Sequence, residues 1–280
     1  MKLPRWLKSI IRYIATYYLL GIVLAVQFSP IFWAFVTSLM TPQETLSSPA
    51  PLVPNHPALT AYLAAWQGDI LHYYNNSFYA SLISTVITLV MATLAAYAFA
   101  RLQFRFKTPL LLFMLSLSLF PPLAQVIPVY QILRDLHLIG TLSALVLPYS
   151  IIGLPLAVLI LMVVFQDVPM EIEEAAAVDG LTRWGTFLRI IVPMTLPGLF
   201  TAAVIIFVGD WNEYLFALSY TTPNTSTLPL GIVTISQTEI ITRFNVLSAA
   251  IIVSVVPLII RILSMERRIV TGLTIGIFKG

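Results

Sequence analysis

The sequence has little charge and no cysteine. Only 10% of its 280 residues are Asp, Glu, Lys or Arg, whereas 59% are hydrophobic; an ordinary soluble domain has about 25% charged residues. So few charges cannot cover the surface of a soluble globule, which excludes a soluble enzyme, a disordered chain and a nucleic-acid-binding protein. The lack of cysteine excludes disulfides, thiolate metal sites and a cysteine nucleophile. The composition therefore predicts a polytopic membrane protein.

Two further absences concern metal binding and energy supply. The three histidines, His56, His72 and His137, are too far apart in the sequence to predict a metal site. No Gly-rich loop is followed by Lys and then Ser or Thr, so the chain has no phosphate-binding loop of that type. We therefore expect no catalytic residue and no cofactor in this chain, and any energy for its function has to come from a partner.

Six apolar stretches are long enough to cross a membrane as helices, since a span needs about 20 apolar residues. They are residues 14–39, 78–100, 109–130, 142–165, 194–220 and 244–263. Leu82–Ala100 is continuously apolar, unlike the alternating ten-residue strands of an outer-membrane barrel. The first stretch continues to Leu39 without a cleavage site, so we interpret it as a retained helix rather than a signal peptide. The sequence predicts an all-α membrane protein with six transmembrane helices in a single domain, residues 1–280.

Basic residues indicate the orientation of these spans. Of the 15 Lys and Arg residues, all except Arg134 and Arg243 fall on the side of the two termini. The positive-inside rule therefore places the N- and C-termini in the cytoplasm. Loop 40–76 is then external, and its prolines predict an extended segment before a short interfacial helix near Leu59–Trp66. This loop is either a passive connector or a contact surface for an external partner.

The cytoplasmic loop between the fourth and fifth stretches, residues 166–193, concentrates acidic residues. Of the chain's 12 acidic residues it holds Asp167, Glu171, Glu173, Glu174 and Asp179. Carboxylates near the start of a helix interact favourably with its dipole. The concentration predicts a defined surface, although a solvated amphipathic loop is the alternative interpretation.

Local signals within this loop predict a helix, a turn and a second helix. Pro169 suits an early helical position, and the alanines at 175–177 favour a helix with little side-chain bulk. Gly180 permits a left-handed turn, and Thr182 is suited to begin the next helix. Such a smooth surface fits a groove on another protein; catalysis or cation binding by the carboxylates would need a pocket or a nucleophile as well.

The loop also contains a motif with fixed spacing. Glu174-Ala175-Ala176 is followed by three residues, Gly180, nine residues and then Ile190-Ile191-Val192-Pro193. This resembles the cytoplasmic signature of bacterial ABC importer permeases, and departs from it only at Val192, where Leu is usual. Other segments resemble the carbohydrate-importer branch, in particular the second permease subunit of maltose- and trehalose-type transporters. These segments are Asn76-Ser77, residues 95–101, Leu147-Pro148-Tyr149, Trp211-Asn212-Glu213, residues 272–276 and Lys279-Gly280.

The resemblance implies an importer-type permease fold in the bacterial plasma (inner) membrane. It implies a subunit of an ATP-driven sugar importer, with a disaccharide or a glycosylated compatible solute as the expected cargo. The implied partners are a second homologous permease subunit, two ATPase subunits that bind ATP and Mg, an extracytoplasmic sugar-binding protein and membrane lipid. The loop then contains the coupling helix that docks in an ATPase cleft, and the C-terminal tail reaches toward the ATPases. The implied docking residues are Glu171, Glu173, Glu174, Ala175, Ala176, Asp179, Gly180, Ile190 and Pro193, and the tail residues are Gly276, Lys279 and Gly280.

Polar residues inside the spans are the candidates for a transport path. They are Asp210, Trp211, Asn212 and Glu213 in the fifth stretch, with Gln125 in the third as a weaker candidate. An aromatic ring with amide and carboxylate groups suits a sugar, and polar groups at membrane depth usually face a cavity or a partner helix. The alternatives are packing against the partner permease and anchoring at the membrane interface. Proline and glycine in the third and fourth stretches predict kinks.

Three other functions remain open. The first is a permease for another solute, such as a polyamine or glycerol phosphate. The second is an ion-driven secondary transporter, which would leave the docking loop without a purpose. The third is an intramembrane enzyme that uses Asp210 and Glu213 as a carboxylate pair, although no nucleophile or metal ligand accompanies them.

Overall fold

The computed structural model describes residues 5–67, 69–238 and 244–256, together with residue 259. Within these ranges every regular element is helical, as the sequence predicts. The chain divides into two compact units, residues 1–70 with 234–256, and residues 71–233 with 257–280. A single domain over residues 1–280 stays a prediction.

The helices are short in the loops and long in the apolar stretches. In chain order they are α1 (Arg5–Ser38), α2 (Pro42–Thr45), α3 (Thr60–Gln67), α4 (Ile70–Arg101), α5 (Lys107–Ser118), α6 (Pro122–Asp135), α7 (Ser143–Gln166), α8 (Met170–Val178), α9 (Arg183–Thr186), α10 (Val192–Met194), α11 (Leu196–Trp211), α12 (Leu215–Tyr220), α13 (Leu228–Thr238) and α14 (Phe244–Val256). A π-helical turn, Phe187–Ile191, connects α9 to α10.

Three single helices are long and apolar enough to cross a membrane: Arg12–Ser38 within α1, and the whole of α4 and α7. Two bent pairs meet the same criterion. The pair of α5 and α6 bends by 98°, and Arg183–Met194 with α11 bends by 71°. If each pair is one span, the described residues contain five. The predicted span at 244–263 is described as far as Val256 within α14, so six spans and two cytoplasmic termini stay predictions.

Residues 109–130 form parts of two helices rather than one straight span. Helix α5 ends at Ser118 and α6 begins at Pro122. The Pro121-Pro122 pair supplies no backbone N–H groups, so an α-helix cannot continue through it. The side-chain amide of Gln125 donates to the carbonyl of Phe120 at 3.0 Å, which satisfies a backbone acceptor at the break.

The stretch predicted as a span at 194–220 is interrupted twice. The first break is at Thr195, whose hydroxyl donates to the Ile191 carbonyl at 2.8 Å. The second is at residues 212–214, between α11 and α12. Helix α7, in contrast, runs unbroken through Pro148 and Pro155, where the sequence predicts kinks.

Helix α7 is central to the second unit, because it contributes to both of its apolar clusters. One cluster joins α4, α7, the π-helical turn and α11, and its small residues, such as Ala96, Ala157 and Ala202, let the helices approach closely. The other joins α4, α6, α7 and α12 around Tyr149 and Tyr220. These clusters fix the loop at 166–193 and the end of α11 relative to α4 and α7.

In the first unit, Glu44 organises the proline-rich loop. Its carboxylate accepts the backbone N–H of Thr41 at 2.9 Å and those of Asn55 and His56 at 2.9 and 3.2 Å. The hydrogen bond from Thr41 is the main reason that the pKa of the Glu44 carboxyl is lowered. The loop is therefore not wholly extended: Pro42 suits the first position of a helix, and α2 forms one turn there.

Helix α1 has an exposed apolar surface in the described part of the chain. Every side chain from residue 12 to residue 33 is exposed, including Leu24, Val26 and Phe28. A continuous apolar surface of this length needs lipid or another protein around it.

Close packing of α11 on α7 depends on Gly198. A Cβ atom at this position would lie 2.6 Å from both methyl carbons of Val164. We expect Gly198→Ala to lower the free energy of unfolding by about 1–3 kcal/mol, because overpacking displaces the helices. Thermal unfolding of the purified protein in detergent measures this. The matched control is Gly209→Ala on the same helix, where the added Cβ meets no atom within 4 Å; equal losses for the two variants would contradict the prediction.

Candidate functional site

Helix α8 is the predicted first helix of the loop at 166–193. It begins one residue later than the sequence indicates, because Pro169 is its capping residue and not part of its first turn. Glu171 and Glu173 lie in that turn, where carboxylates interact favourably with the helix dipole. The acidic composition of the loop thus helps to define where the helix starts.

The turn after α8 forms at Gly180, as predicted. This residue has a φ of +84°, a left-handed conformation that glycine adopts without strain. The N–H of Leu181 donates to the Ala176 carbonyl at 3.0 Å, and the N–H of Gly180 donates to the Ala177 carbonyl at 3.1 Å. These two bonds define a Schellman motif, which ends the helix and reverses the chain. Thr182 then caps α9, also as predicted.

One face of α8 is exposed. Glu171, Glu174, Ala175 and Val178 are all exposed and follow each other at spacings of three, one and three residues, which places them on one stripe of the helix. We call these four residues the exposed stripe. Val178 has 88% of its surface exposed, so the stripe presents an apolar side chain beside its carboxylates. The stripe therefore has the character of a protein interface.

Glu173 lies on the opposite side of α8 and contacts α4. Its Oε1 is 2.7 Å from Nε of Arg101, and its Oε2 accepts a hydrogen bond from the Tyr97 hydroxyl at 2.9 Å. Nη2 of Arg101 donates to the Val168 carbonyl at 2.5 Å. The side chains of Arg101 and Glu173 are only 8% and 18% exposed. Glu173 is thus paired within the chain, whereas the neighbouring Glu174 side chain has no ion pair among the described residues.

Sequence reasoning did not single out Tyr97 and Arg101 as site residues. They are four residues apart on α4 and so share one face of that helix. An Arg at the end of an apolar stretch, on the same helix face as a Tyr one turn earlier, is the sequence signal that would have indicated an acidic partner.

The other predicted docking residues differ in exposure. Asp179, Gly180 and Pro193 are exposed, Ile190 is half-buried and Ala176 is buried. The predicted tail residues, Gly276, Lys279 and Gly280, lie outside the described residues. Beside α8, Trp184 is 63% exposed and lines a groove of about 400 Å³ between α4 and α9, which adds to the apolar surface of this region.

The second candidate site is a polar layer between α4, α7 and the end of α11. Asp210 accepts a hydrogen bond from the Ser84 hydroxyl on α4 at 2.5 Å. Glu213 accepts one from the Tyr149 hydroxyl on α7 at 2.8 Å. Glu213 also accepts the backbone N–H groups of Phe216 and Ala217, at 2.8 and 3.2 Å, where α12 begins. The two carboxylates therefore connect the break in this span to both neighbouring helices.

Among the described residues, the remaining path candidates form no hydrogen bond with these two carboxylates. Trp211 is buried, with its ring stacked on Phe207 and edge-on to Tyr74 at centroid distances of 5.7 and 5.1 Å. Asn212 is exposed and donates to a carbonyl of its own helix. Gln125 donates to the Phe120 carbonyl at the break between α5 and α6. The structure adds a role that the sequence did not predict, the joining of helices within the subunit.

The described residues contain no cluster of three or more His, Asp or Glu side chains that could hold a metal ion. Ser84 and Tyr149 were missed as site residues. Both are polar residues in otherwise apolar stretches, but many such residues only bond to their own helix, so their type did not identify them.

The contacts of Glu213 predict a stability effect. Its carboxylate accepts three hydrogen bonds, and a Gln side chain has one acceptor oxygen fewer and presents an NH₂ group to a donor. We expect Glu213→Gln to lower the free energy of unfolding by about 1–3 kcal/mol, because a buried donor is left unsatisfied. Thermal unfolding in detergent measures the loss. Asn212→Ala is the control, with an expected change within about 0.5 kcal/mol; a loss as large as that of Glu213→Gln would refute the assignment.

Comparison with known proteins gives three kinds of match. Residues 88–273 match the family described as "Binding-protein-dependent transport system inner membrane component". The sulfoquinovosyl glycerol transport system permease protein SmoH of Agrobacterium fabrum is 39% identical over 253 residues, 90% of this chain and 88% of the relative. The trehalose transport system permease protein SugB of Mycobacterium tuberculosis is 37% identical over 254 residues, 90% and 92% of the two chains. The trehalose/maltose transport system permease protein MalG of Thermococcus litoralis is 34% identical over 255 residues, 90% and 91% of the two chains.

A solved structure has the same fold. It is a chain from the crystal structure of a bacterial ABC transporter involved in the import of the acidic polysaccharide alginate. The TM-score is 0.79 at 19% sequence identity, and the match covers 95% of this chain and 99% of the other. At this identity the likeness concerns the fold alone.

Proposed function

Because the chain belongs to the family of binding-protein-dependent transport system inner membrane components, we propose that it is the transmembrane permease subunit of an ATP-driven importer for a sugar. The resemblance predicted from the sequence is confirmed, and so is the inner-membrane location. The observation that carries the proposal is the exposed stripe on α8, an unpaired surface with carboxylates at one end and Val178 at the other.

The exposed stripe is the proposed contact with an ATPase subunit. Ala175 leaves room for a groove wall to approach the helix backbone closely, and Val178 supplies apolar area. Glu171 and Glu174 offer carboxylates to basic residues at the rim of such a groove. Asp179 and Gly180 extend the surface at the turn, and Ile190 and Pro193 lead the chain back to the membrane.

The proposed complex contains partners that this chain needs for transport. They are a second homologous permease subunit, two ATPase subunits, an extracytoplasmic sugar-binding protein and surrounding lipid. ATP and Mg are bound by the ATPases, and this chain is the non-catalytic subunit. The uncovered surface of α1 supports contact with lipid or with the second permease. The C-terminal tail with Gly276, Lys279 and Gly280 is proposed to reach toward the ATPases.

The proposed topology has six spans and two cytoplasmic termini. The three single helices and the two bent pairs supply five spans if each pair crosses once. Helix α14 is the start of the sixth. The distribution of Lys and Arg supports this orientation, because it leaves Arg134 and Arg243 as the basic residues on the external side.

The names of the relatives support a glycoside as the transported solute. They give sulfoquinovosyl glycerol, trehalose and maltose as compounds carried by those systems. A disaccharide or a glycosylated compatible solute is the proposed substrate class here. Asn212 is the exposed member of the path candidates, whereas Asp210, Trp211 and Glu213 pack within the subunit. We therefore propose Asn212 for the path and a supporting role for the other three.

The docking proposal is tested by charge reversal on the exposed stripe. We expect Glu174→Lys to abolish co-purification of the ATPase subunits and ATP-driven uptake of trehalose or maltose into proteoliposomes, because it places a cation against basic residues of the ATPase. Pull-down of the tagged permease and uptake of the labelled sugars measure the two effects. The protein should still insert in the membrane, since residue 174 is exposed.

The control makes the same charge change at Asp135, an exposed residue on the predicted external side. Asp135→Lys should bind the ATPases as the unchanged protein does. Full ATPase binding by Glu174→Lys would overturn the docking surface. The proposed function would be overturned if the unchanged complex took up spermidine or glycerol 3-phosphate but neither sugar. It would also be overturned if uptake were driven by an ion gradient without ATP.

A further inference from the structure

We propose that Arg101 is a positioning residue that locks α8 to the end of α4, so that a movement of α8 is delivered directly to that membrane span. The inference rests on the proposed function, because it concerns how force from an ATPase on the exposed stripe reaches the membrane. It assigns different roles to two adjacent glutamates. Glu174 faces the partner, whereas Glu173 holds the helix to its own subunit.

The need for such a lock follows from how little else holds α8. The helix has nine residues, and short helices are marginal without tertiary contacts. Its apolar contacts are few: Ala176 is buried, and Ile172 packs half-buried against the apolar cluster of α4 and α7. The residues of the exposed stripe bury little surface. The position of α8 therefore depends on the polar contacts of Glu173 with α4 as well as on these two side chains.

Arg101 is suited to this role because it binds the loop at two separate points. Its Nε is 2.7 Å from Oε1 of Glu173 on α8, and its Nη2 donates to the Val168 carbonyl in the linker before α8. Val168 is itself buried in the apolar cluster of α4 and α7. The guanidinium thus joins α8 through an ion pair and the linker through a hydrogen bond, which holds both to the end of α4. The hydroxyl of Tyr97 adds a third contact, at the other oxygen of Glu173.

Burial makes the lock stiffer than a surface ion pair. The side chains of Arg101 and Glu173 are largely shielded from water, so their attraction is weakly screened. The chain contains a matched pair for comparison, Arg134 and Asp135, with a distance of 3.0 Å but exposures of 62% and 68%. An exposed pair of this kind contributes little to rigidity.

The experiment compares coupling in the complete reconstituted complex. Arg101→Gln and the charge-neutral double variant Arg101→Gln/Glu173→Gln should keep the ATPase subunits bound and keep hydrolysing ATP. The number of sugar molecules transported per ATP should fall about tenfold, within the usual range of coupling between two sites. The sugar is whichever of trehalose or maltose the unchanged complex transports. Tyr97→Phe should show a smaller loss, and the exchanged pair Arg101→Glu/Glu173→Arg should recover part of the ratio.

Arg134→Gln is the control and should leave the number of sugar molecules transported per ATP, the transport ratio, unchanged. If the Arg101→Gln protein does not insert in the membrane because Glu173 is left unpaired, the double variant tests the proposal in its place. A normal transport ratio in the double variant would overturn the proposal, and so would loss of the ATPases as in Glu174→Lys, because Arg101 would then act on docking itself. Failure of the unchanged complex to transport either sugar would instead count against the proposed function.

Discussion

A polar group without a partner is costly inside a membrane, and this cost accounts for the main features of the second unit. Its helices are broken at three places within apolar stretches, and at each break a side chain bonds to a backbone group. Gln125 donates to a carbonyl between α5 and α6, and Glu213 accepts two N–H groups where α12 begins. The hydroxyl of Thr195 adds a second hydrogen bond to the Ile191 carbonyl, which also accepts the backbone N–H of Thr195. These bonds reduce the cost of interrupting a helix in an apolar segment.

The same requirement gives neighbouring residues different roles. Asp210 and Glu213 are bonded to α4 and α7, while Asn212 between them remains exposed. In the loop at 166–193, Glu173 is paired with Arg101 while Glu174 is exposed. In both places a carboxylate that joins helices lies beside a polar side chain that faces outward. The subunit can thus present a rigid surface to a partner and still remain firmly attached to its spans.

Much of this arrangement could be predicted from the sequence, and the limits have physical reasons. Apolar length and charge distribution predicted the helical membrane class, and Gly180 and Thr182 predicted the turn and the second helix, because these signals are local. The prolines of the third stretch predicted the bend at residues 118–122. The breaks at Thr195 and at residues 212–214 were missed, since a run of apolar residues does not reveal where a helix stops. The side-chain partners of Glu173 and Glu213 were missed because they lie 64 or more residues away in the chain. Their choice depends on how α4 and α7 pack.

The central claim is that α8 and α4 move as one body, and the absence of cysteine from the chain makes this directly measurable. Spin labels at position 90 and at position 177, an exposed residue of α8 outside the exposed stripe, report the distance between the two helices. The distance distribution is measured by double electron–electron resonance in the complete complex, first without nucleotide and then trapped with ATP. Movement of the two helices as one body predicts the same distribution in both states. A shift of its mean by more than its width would show that the two helices move separately.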